Sequence, residues 1–309
     1  MAANTGCELW NVELVRSEYD DNNEAVLFGS FQSFFRGKSV IISGASRGIG
    51  LAIAKKLAAD GAKVSIFAKT VKPHPQLPGT IYTAAEELKA AGALDVLPLP
   101  VDIRDEDAVR SAVEKTVQKF GGIDYLVNSA SAVSPTPTLK TDMKRYDLMH
   151  SINTRGTFLV SKMCIPHLQK SEQPQIMNLS PPLCMESQWF APHLAYTMSK
   201  YGMSLCVLGM SEEFKDSGIA VNALWPKTLI WTAAMKIVSP DPNTQRGCRK
   251  PEIMADAAYH VLQQKYTGKF VIDEEVLREA GITNFDQYAY DPTAKLIPDG
   301  FIPGGRALL

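Results

Sequence analysis

A glycine-rich turn between a predicted strand and a predicted helix most constrains what this chain can fold into. Residues 39–43 (SVIIS) are apolar and β-branched, as a buried parallel strand requires. Ile53 and Leu57 then recur at helical spacing. Glycines let a backbone approach a phosphate, and a helix N-terminus attracts that anion. The turn predicts dinucleotide binding, unless its glycines serve only tight packing. The expected contacts are Gly44, Ala45, Ser46, Arg47, Gly48, Ile49 and Gly50.

Strand and helix signals alternate along the rest of the chain. Further strands are predicted at 63–68, 96–101, 123–127, 175–179, 219–224 and 269–272, and helices at 80–91, 105–120, 142–169, 194–214 and 251–264. Strands separated by such helices form right-handed crossovers. The expected fold is therefore α/β, a Rossmann-like doubly wound parallel sheet in a single domain, residues 37–280.

The two ends of the chain do not fit this alternation. Residues 1–36 are expected to be an extension, partly mobile, with an apolar patch around Leu27 to Phe35 that docks on the body. Unusual splicing is an alternative origin for this segment. Residues 281–309, rich in proline and glycine, are expected to form a tail along the surface.

Composition narrows the class of protein. The 309 residues carry 32 basic and 33 acidic side chains, so no nucleic-acid partner is expected. The cysteines have no paired spacing, which favours a reduced, intracellular protein. Without a run of about 18 apolar residues or a secretory signal, no membrane span is expected. No metal site is predicted.

Tyr196 and Lys200 form a candidate catalytic pair. Four residues apart on a predicted helix, their side chains lie on one face, one turn apart. A nearby ammonium favours the phenolate, and a phenol of lowered pKa exchanges protons with a hydroxyl or carbonyl at neutral pH. The alternative is a solvated pair on the helix surface.

Taken together, these motifs resemble the short-chain dehydrogenases/reductases. The matching segments are SGASRGIG (43–50), VDI (101–103), NSAS (128–131), Asn153, YTMSK (196–200) and WPKT (225–228). They occur in the family's order and cover residues 38 to about 275. The resemblance implies an oxidoreductase that is a homo-oligomer.

The resemblance also implies residue roles. Tyr196 is the expected acid/base, Lys200 lowers its pKa and binds the nicotinamide ribose, and Asn153 holds a water of a proton relay. Asn153 is alternatively satisfied within its own helix. Asn128 is expected to line the cofactor cleft. Asp102 is expected to accept from the adenine amino group, although it is also a candidate N-cap.

Two positions depart from the family pattern. Pro181 stands where the family places a serine that polarises the substrate oxygen, which leaves Ser180 as the candidate for that role. Lys227 replaces the glycine that usually follows the proline after the sixth strand. Thr228 is still expected to meet the nicotinamide carboxamide.

Charge at the end of the second strand indicates the cofactor. An enzyme that selects NAD needs a carboxylate there to bind two ribose hydroxyls. This chain has Lys69 at that place and Arg47 in the glycine-rich turn, and two cations suit a 2′-phosphate. NADP(H) is therefore the expected cofactor, unless both are ordinary surface cations.

The predicted function is NADP(H)-dependent interconversion of a secondary alcohol and a carbonyl. Apolar residues in 181–192 and 229–238 are expected either to wall a lipid-like substrate, such as a fatty acyl derivative or a steroid, or to pack in the core. The alternative function is an NADP(H)-binding sensor or scaffold, suggested by Pro181 and Lys227. The resemblance implies a peroxisome or mitochondrion, with the cytoplasm as the alternative.

Overall fold

Seven parallel strands form one sheet in the computed structural model, which describes residues 33–74, 77–239 and 241–302. The strands are β1 (Ser39–Ser43), β2 (Lys63–Ala68), β3 (Asp95–Pro100), β4 (Tyr125–Asn128), β5 (Gln175–Asn178), β6 (Ala220–Trp225) and β7 (Phe270–Ile272). Their order across the sheet is β3-β2-β1-β4-β5-β6-β7. The direction of winding reverses between β1 and β4, where a doubly wound sheet opens a crevice at its carboxyl edge.

Helices cover both faces of the sheet. The α-helices are α1 (Gly48–Ala59), α2 (Ile81–Ala91), α3 (Glu106–Phe120), α4 (Met143–Met149), α5 (Thr157–Leu168), α6 (Leu194–Glu213), α7 (Ala233–Val238), α8 (Pro242–Arg246), α9 (Glu252–Val261) and α10 (Asp273–Glu279). A π-helix spans His150–Gly156, and 3₁₀ turns occupy Thr138–Lys140, Ser187–Trp189, Lys215–Ser217 and Asp286–Tyr288. Among the described residues, none of these helices combines the length and apolarity needed to cross a bilayer.

The residue patterns explain these boundaries. β1 is buried along its whole length and pairs with β2 on one side and β4 on the other, so its apolar run is needed on both faces. Asp105 caps α3 by accepting from the backbone N–H groups of Asp107 and Ala108. Gly121, at φ +90°, ends α3 in the left-handed conformation. The N-cap of α3 is therefore Asp105 and not Asp102.

The predicted fold class is confirmed, and the differences are local. The single helix predicted at 142–169 is α4, the π-helix and α5 in succession. The short helices α7, α8 and α10 were not predicted, because each offers too few turns for an apolar period to be recognised.

Each end of the chain is only partly within the described residues. Of the N-terminal extension, residues 1–32 lie outside the described residues, whereas Phe35 is fully buried against Tyr125 and Tyr259. The described part of the tail, residues 281–302, is mostly exposed or half-buried, with a few buried side chains. Tyr288 and Phe301 are 4% and 2% exposed, because Tyr288 packs in the main core cluster and Phe301 packs against Trp189 and Trp225. Residues 303–309 lie outside the described residues.

Candidate active site

A cavity of about 470 Å³ opens at the carboxyl ends of the strands, beside the point where the winding reverses. Predicted residues that line it are Gly44, Ser46, Arg47, Gly48, Ile49, Gly50, Lys69, Asp102, Tyr196 and Lys200. The glycine-rich turn therefore shares one cavity with the candidate catalytic pair. Predicted residues that do not line it are Ala45, Asn128, Asn153, Ser180 and Thr228.

The glycine-rich turn leaves no room for side chains where it meets its neighbours. A Cβ on Gly44 would lie 2.7 Å from the Ala130 Cα, and one on Gly50 would lie 2.8 Å from the Gly44 carbonyl oxygen. Arg47 is the N-cap of α1, but its side chain makes no capping hydrogen bond, and the first turn holds no acidic residue. The first backbone N–H groups of α1 thus lie at the cavity, and the N-cap side chain does not accept from them. This arrangement fits the diphosphate of a dinucleotide.

Charged side chains flank the same end of the cavity. Lys69 is exposed at the end of β2, and Arg47 donates to the Gly79 carbonyl oxygen at 2.9 Å. Asp102 is paired with Arg104, whose Nε lies 2.9 Å from Oδ1. The hydrogen bond from the Arg104 side chain lowers the pKa of Asp102, and the charge of Lys69 adds to this effect. Asp102 is therefore ionised, and Arg104 occupies part of its acceptor capacity.

Tyr196 and Lys200 line the same cavity, and both lie on α6. The Lys200 ammonium donates to the Leu179 carbonyl oxygen at 2.6 Å, and it lies 4.9 Å from the centre of the Trp225 ring. Burial lowers the pKa of Lys200 to about 7, opposed by the charge of Asp299.

The expected lowering of the Tyr196 pKa is not found in this arrangement. Burial raises the pKa of the Tyr196 phenol, and the charge of Asp299 raises it further. The physical reason is that desolvation of the phenolate dominates while the Lys200 ammonium is directed at Leu179. The phenol is therefore in its protonated form, the form that donates a proton.

Asn153 and Asn128 take positions behind the cavity wall. The Asn153 amide lies in the π-helix, donates to the Ala132 carbonyl oxygen and accepts from the Ala132 N–H. It also donates to the Ser199 hydroxyl on α6. The side chain thus joins the β4 loop to the helix of Tyr196. Asn128 donates to Ser161 and Asn178, away from the cavity.

The Ser180 hydroxyl is fully buried, and no hydrogen-bond partner for its Oγ is found among the described residues. The Thr228 Oγ1 is also buried and has no hydrogen-bond partner among the described residues. The loop after Ser180 is held against α6, because the Ser204 hydroxyl donates to the Pro181 carbonyl oxygen at 2.6 Å. Of the two predicted substrate walls, residues of 229–238 line the cavity and residues of 181–192 do not.

Lys227, the departure from the family's glycine, belongs to a charged cluster whose members do not line the cavity. Its backbone N–H donates to Asp273, and its ammonium lies 2.9 Å from a carboxylate oxygen of Glu274. Arg249 and Arg278 also pair with Glu274, at 2.7 and 2.8 Å. The loop after β6 is thus fixed by ionic contacts to the start of α10.

Three residues of this region were missed by sequence reasoning: His193, Asp299 and Phe301 all line the cavity. The Asp299 carboxylate accepts from the Trp225 indole N–H at 2.7 Å. The Phe301 ring centre lies 6.0 Å from that of Tyr196. Asp299 and Phe301 belong to the C-terminal segment, far from any recognisable motif. His193 lies three positions before Tyr196, and this short distance in the chain is the one feature that could have indicated a place at the site.

Comparisons with known proteins agree with this geometry. Residues 38–242 match the family model described as short chain dehydrogenase. The chain is 59% identical over 270 residues to hydroxysteroid dehydrogenase-like protein 2 of Danio rerio, covering 87% of this chain and 64% of the relative. It is 58% identical over 268 residues to the protein of that name in Homo sapiens, covering 86% of this chain and 63% of the relative. The chain thus spans less than two thirds of the length of these relatives.

A solved structure of a short chain dehydrogenase from Mycobacterium thermoresistibile is similar in both sequence and fold. It is 50% identical and superposes with a TM-score of 0.82, covering 87% of this chain and 96% of that chain. The similarity therefore extends beyond the glycine-rich turn to most of the described residues.

Proposed function

This chain belongs to the short-chain dehydrogenase family, and from that premise we propose that it is an NADP(H)-dependent oxidoreductase that interconverts a secondary alcohol and a carbonyl. One observation carries the proposal. Tyr196 and Lys200 line the same cavity as the glycine-rich turn and the uncapped start of α1. A proton-transfer pair and an anion-binding turn in one cavity suit a reaction between a dinucleotide and a small substrate.

The residues that line the cavity fit NADP(H), and different residues would bind different parts of it. The turn from Gly44 to Gly50 would hold the diphosphate, while Arg47 and Lys69 would pair with the 2′-phosphate. Lys200 would bind the nicotinamide ribose, and Asp102 would accept from the adenine amino group. When bound, the nicotinamide supplies or accepts the hydride.

The protein's own part of the chemistry is proton transfer at the Tyr196 phenol oxygen. The raised pKa of Tyr196 keeps the phenol protonated, so it donates to the carbonyl oxygen in the direction of reduction. In oxidation the same oxygen must first lose its proton, so that it can accept one from the alcohol. The positive charge of Lys200, one helical turn away, would support that phenolate.

We further propose a lipid-like substrate, a fatty acyl derivative or a steroid. The support is the apolar lining of the cavity, which includes Val133, Leu179, Leu229, Ile230, Met235, Val238 and Phe301. Apolar walls with a few convergent polar groups are typical of sites for such ligands. Similarity to the curated relatives supports the same class.

Replacing Tyr196 by Phe tests the proposal. The change removes only the proton-carrying oxygen, so turnover of long-chain carbonyls should fall at least about a hundredfold. NADPH affinity, measured by fluorescence titration, should stay close to that of the parent. Lys200→Ala serves as the comparison, since it should weaken both. If Tyr196→Phe retains most of the rate on a confirmed substrate, the mechanism is wrong.

A second function, an NADP(H)-binding sensor or scaffold with little turnover, is favoured by one observation. The Ser180 hydroxyl does not line the cavity, and Pro181 removes a backbone donor at the position of the family's serine. NADPH binding without turnover over a broad panel of carbonyls would support this second function.

We also propose an oligomeric state and a cellular location from the similarity to the family. Exposed apolar side chains on α5 and α6, Phe158, Leu205 and Leu208, support homo-oligomer formation through these helices, which the molar mass in solution tests. The proposed location is the peroxisome or mitochondrion, with the cytoplasm as the alternative. Imaging of a tagged chain distinguishes them.

A further inference from the structure

The C-terminal segment from Ile297 to Ile302 forms a wall of the cavity at its catalytic end. The Leu229 N–H donates to the Ile297 carbonyl oxygen, and the Asp299 N–H donates to the Lys227 carbonyl oxygen. Phe301 is 2% exposed and packs against Trp225, with ring centres 5.7 Å apart. Backbone bonds and a buried ring therefore fix this segment beside Tyr196.

The Asp299 carboxylate lies at the cavity with unused acceptor capacity. Its Oδ1 accepts from the Trp225 Nε1–H at 2.7 Å and from the Phe301 N–H at 3.0 Å. Both of these bonds to described residues end on Oδ1, so Oδ2 remains to accept from a ligand. Burial raises the pKa of Asp299, while these two N–H donors and the charge of Lys200 favour the ionised form.

A second acceptor faces the same space. The His193 Nδ1 lies 2.9 Å from the Thr197 hydroxyl oxygen, whose own proton goes to the Trp189 carbonyl oxygen. The Thr197 oxygen must therefore accept from Nδ1–H, an assignment made from the hydrogen-bond network. Burial lowers the pKa of His193, which favours the neutral ring with a lone pair on Nε2. Nε2 lies close to the backbone of Gly300, where an added Cβ would be 3.6 Å away.

We propose that Asp299 and His193 select substrates that carry a hydroxyl or N–H group beside the reacting carbon, and reject substrates with a carboxylate there. Two acceptors, one of them anionic, line the cavity with Tyr196 and Lys200, and the Lys200 ammonium already donates to the Leu179 carbonyl oxygen. A donor on the ligand pairs with Oδ2 of Asp299, since both bonds of that carboxylate to described residues end on Oδ1. A ligand carboxylate meets the like charge of the half-buried Asp299. The inference rests on the proposed function only in taking this cavity as the substrate site.

The test compares three probes of equal chain length: a long-chain secondary alcohol, the matching vicinal diol and the matching hydroxy acid. Binding is measured by quenching of tryptophan fluorescence, with and without NADPH, and needs no turnover. The diol should bind about tenfold more tightly than the alcohol, as expected for a hydrogen bond to a charged group. The hydroxy acid should bind more weakly than the alcohol.

Asp299→Asn keeps an oxygen for the Trp225 and Phe301 donors but removes the charge. It should bring the hydroxy acid to within about threefold of the alcohol, because the like charge is gone. Asp291→Asn is the matched control, because Asp291 lies in the same C-terminal region and pairs with Arg246 outside the cavity. It should leave the ranking of the three probes unchanged.

Equal affinity of the parent protein for all three probes overturns the inference, and so does a ranking that survives Asp299→Asn. If Asp299→Asn does not fold, the order of the parent protein's affinities for the three probes is the test of the inference. Absence of turnover on every carbonyl, with the ranking intact, rejects the proposed function and leaves this inference standing.

Discussion

Replacing Glu274 by Gln is expected to lower the free energy of unfolding by about 3–5 kcal/mol. The carboxylate is 7% exposed and lies 2.7 Å from Arg249, which is 5% exposed. Removing one partner of a buried pair costs about 3–5 kcal/mol, because the other charge is left unpaired. Lys227 and Arg278 are 40% and 54% exposed, so their pairs contribute only about 0–1 kcal/mol each. The loss therefore arises mainly at Arg249, whose Nε and Nη1 have no partner among the described residues.

The effect should depend on pH with a defined sign. Burial raises the pKa of Glu274, but hydrogen bonds from Lys227, Arg278 and Arg249 outweigh it and lower the pKa to about 2 from its ordinary 4.5. Because the folded value lies below the unfolded value, the carboxylate stabilises the fold above pH 4.5 and loses this effect as pH falls towards 2. The stability difference between the parent and Glu274→Gln should shrink over the same range.

Urea unfolding at neutral pH, followed by tryptophan fluorescence, measures the difference. Glu275→Gln is the matched control, because Glu275 is the adjacent residue of α10 and is exposed. The control should stay within about 0.5 kcal/mol of the parent. A loss of less than about 1 kcal/mol in Glu274→Gln would refute the assignment of the cost to the buried Arg249.

Two further outcomes concern the cofactor and the missing serine. The parent should bind NADPH more tightly than NADH, and Lys69→Asp should weaken NADPH binding about tenfold or more without weakening NADH binding. Fluorescence titration measures both affinities. Equal affinities of the parent for the two cofactors would contradict the argument from charge. Ser180→Ala should leave turnover within about twofold of the parent and leave stability unchanged or slightly higher, because it removes a buried hydroxyl without a partner. Steady-state rates and urea unfolding measure both, and a roughly hundredfold loss of rate would instead make Ser180 a donor to the reacting oxygen.

The parts of the fold and site that follow local chemistry were predictable from the sequence. The strand–turn–helix of residues 39–59 has its own periodicity and its own glycines, and it forms as expected. Tyr196 and Lys200 share a helix face because of their spacing alone. These features depend on neighbours in the chain, so they can be predicted without the tertiary structure.

The features that were missed depend on contacts between distant segments. The direction of the Lys200 ammonium is decided by the carbonyl of Leu179, 21 positions earlier in the chain, and so the shift in the Tyr196 pKa could not be predicted from spacing. Asp299 reaches the site because Trp225 offers an indole N–H, and Lys227 is explained only by Glu274. No pattern within one segment predicts such pairings.

The packing of Phe301 has a consequence for the order in which the parts of the candidate active site form. Its ring contacts His193 and Tyr196, so the chain must close a loop of roughly a hundred residues before this wall exists. The entropy cost of closing such a loop has to be met before the contact contributes to stability. During synthesis the last described residues emerge after the whole sheet, so the growing chain holds its nucleotide-binding turn well before it can enclose a substrate. Ligand selectivity at this wall is therefore acquired after the nucleotide-binding turn has formed.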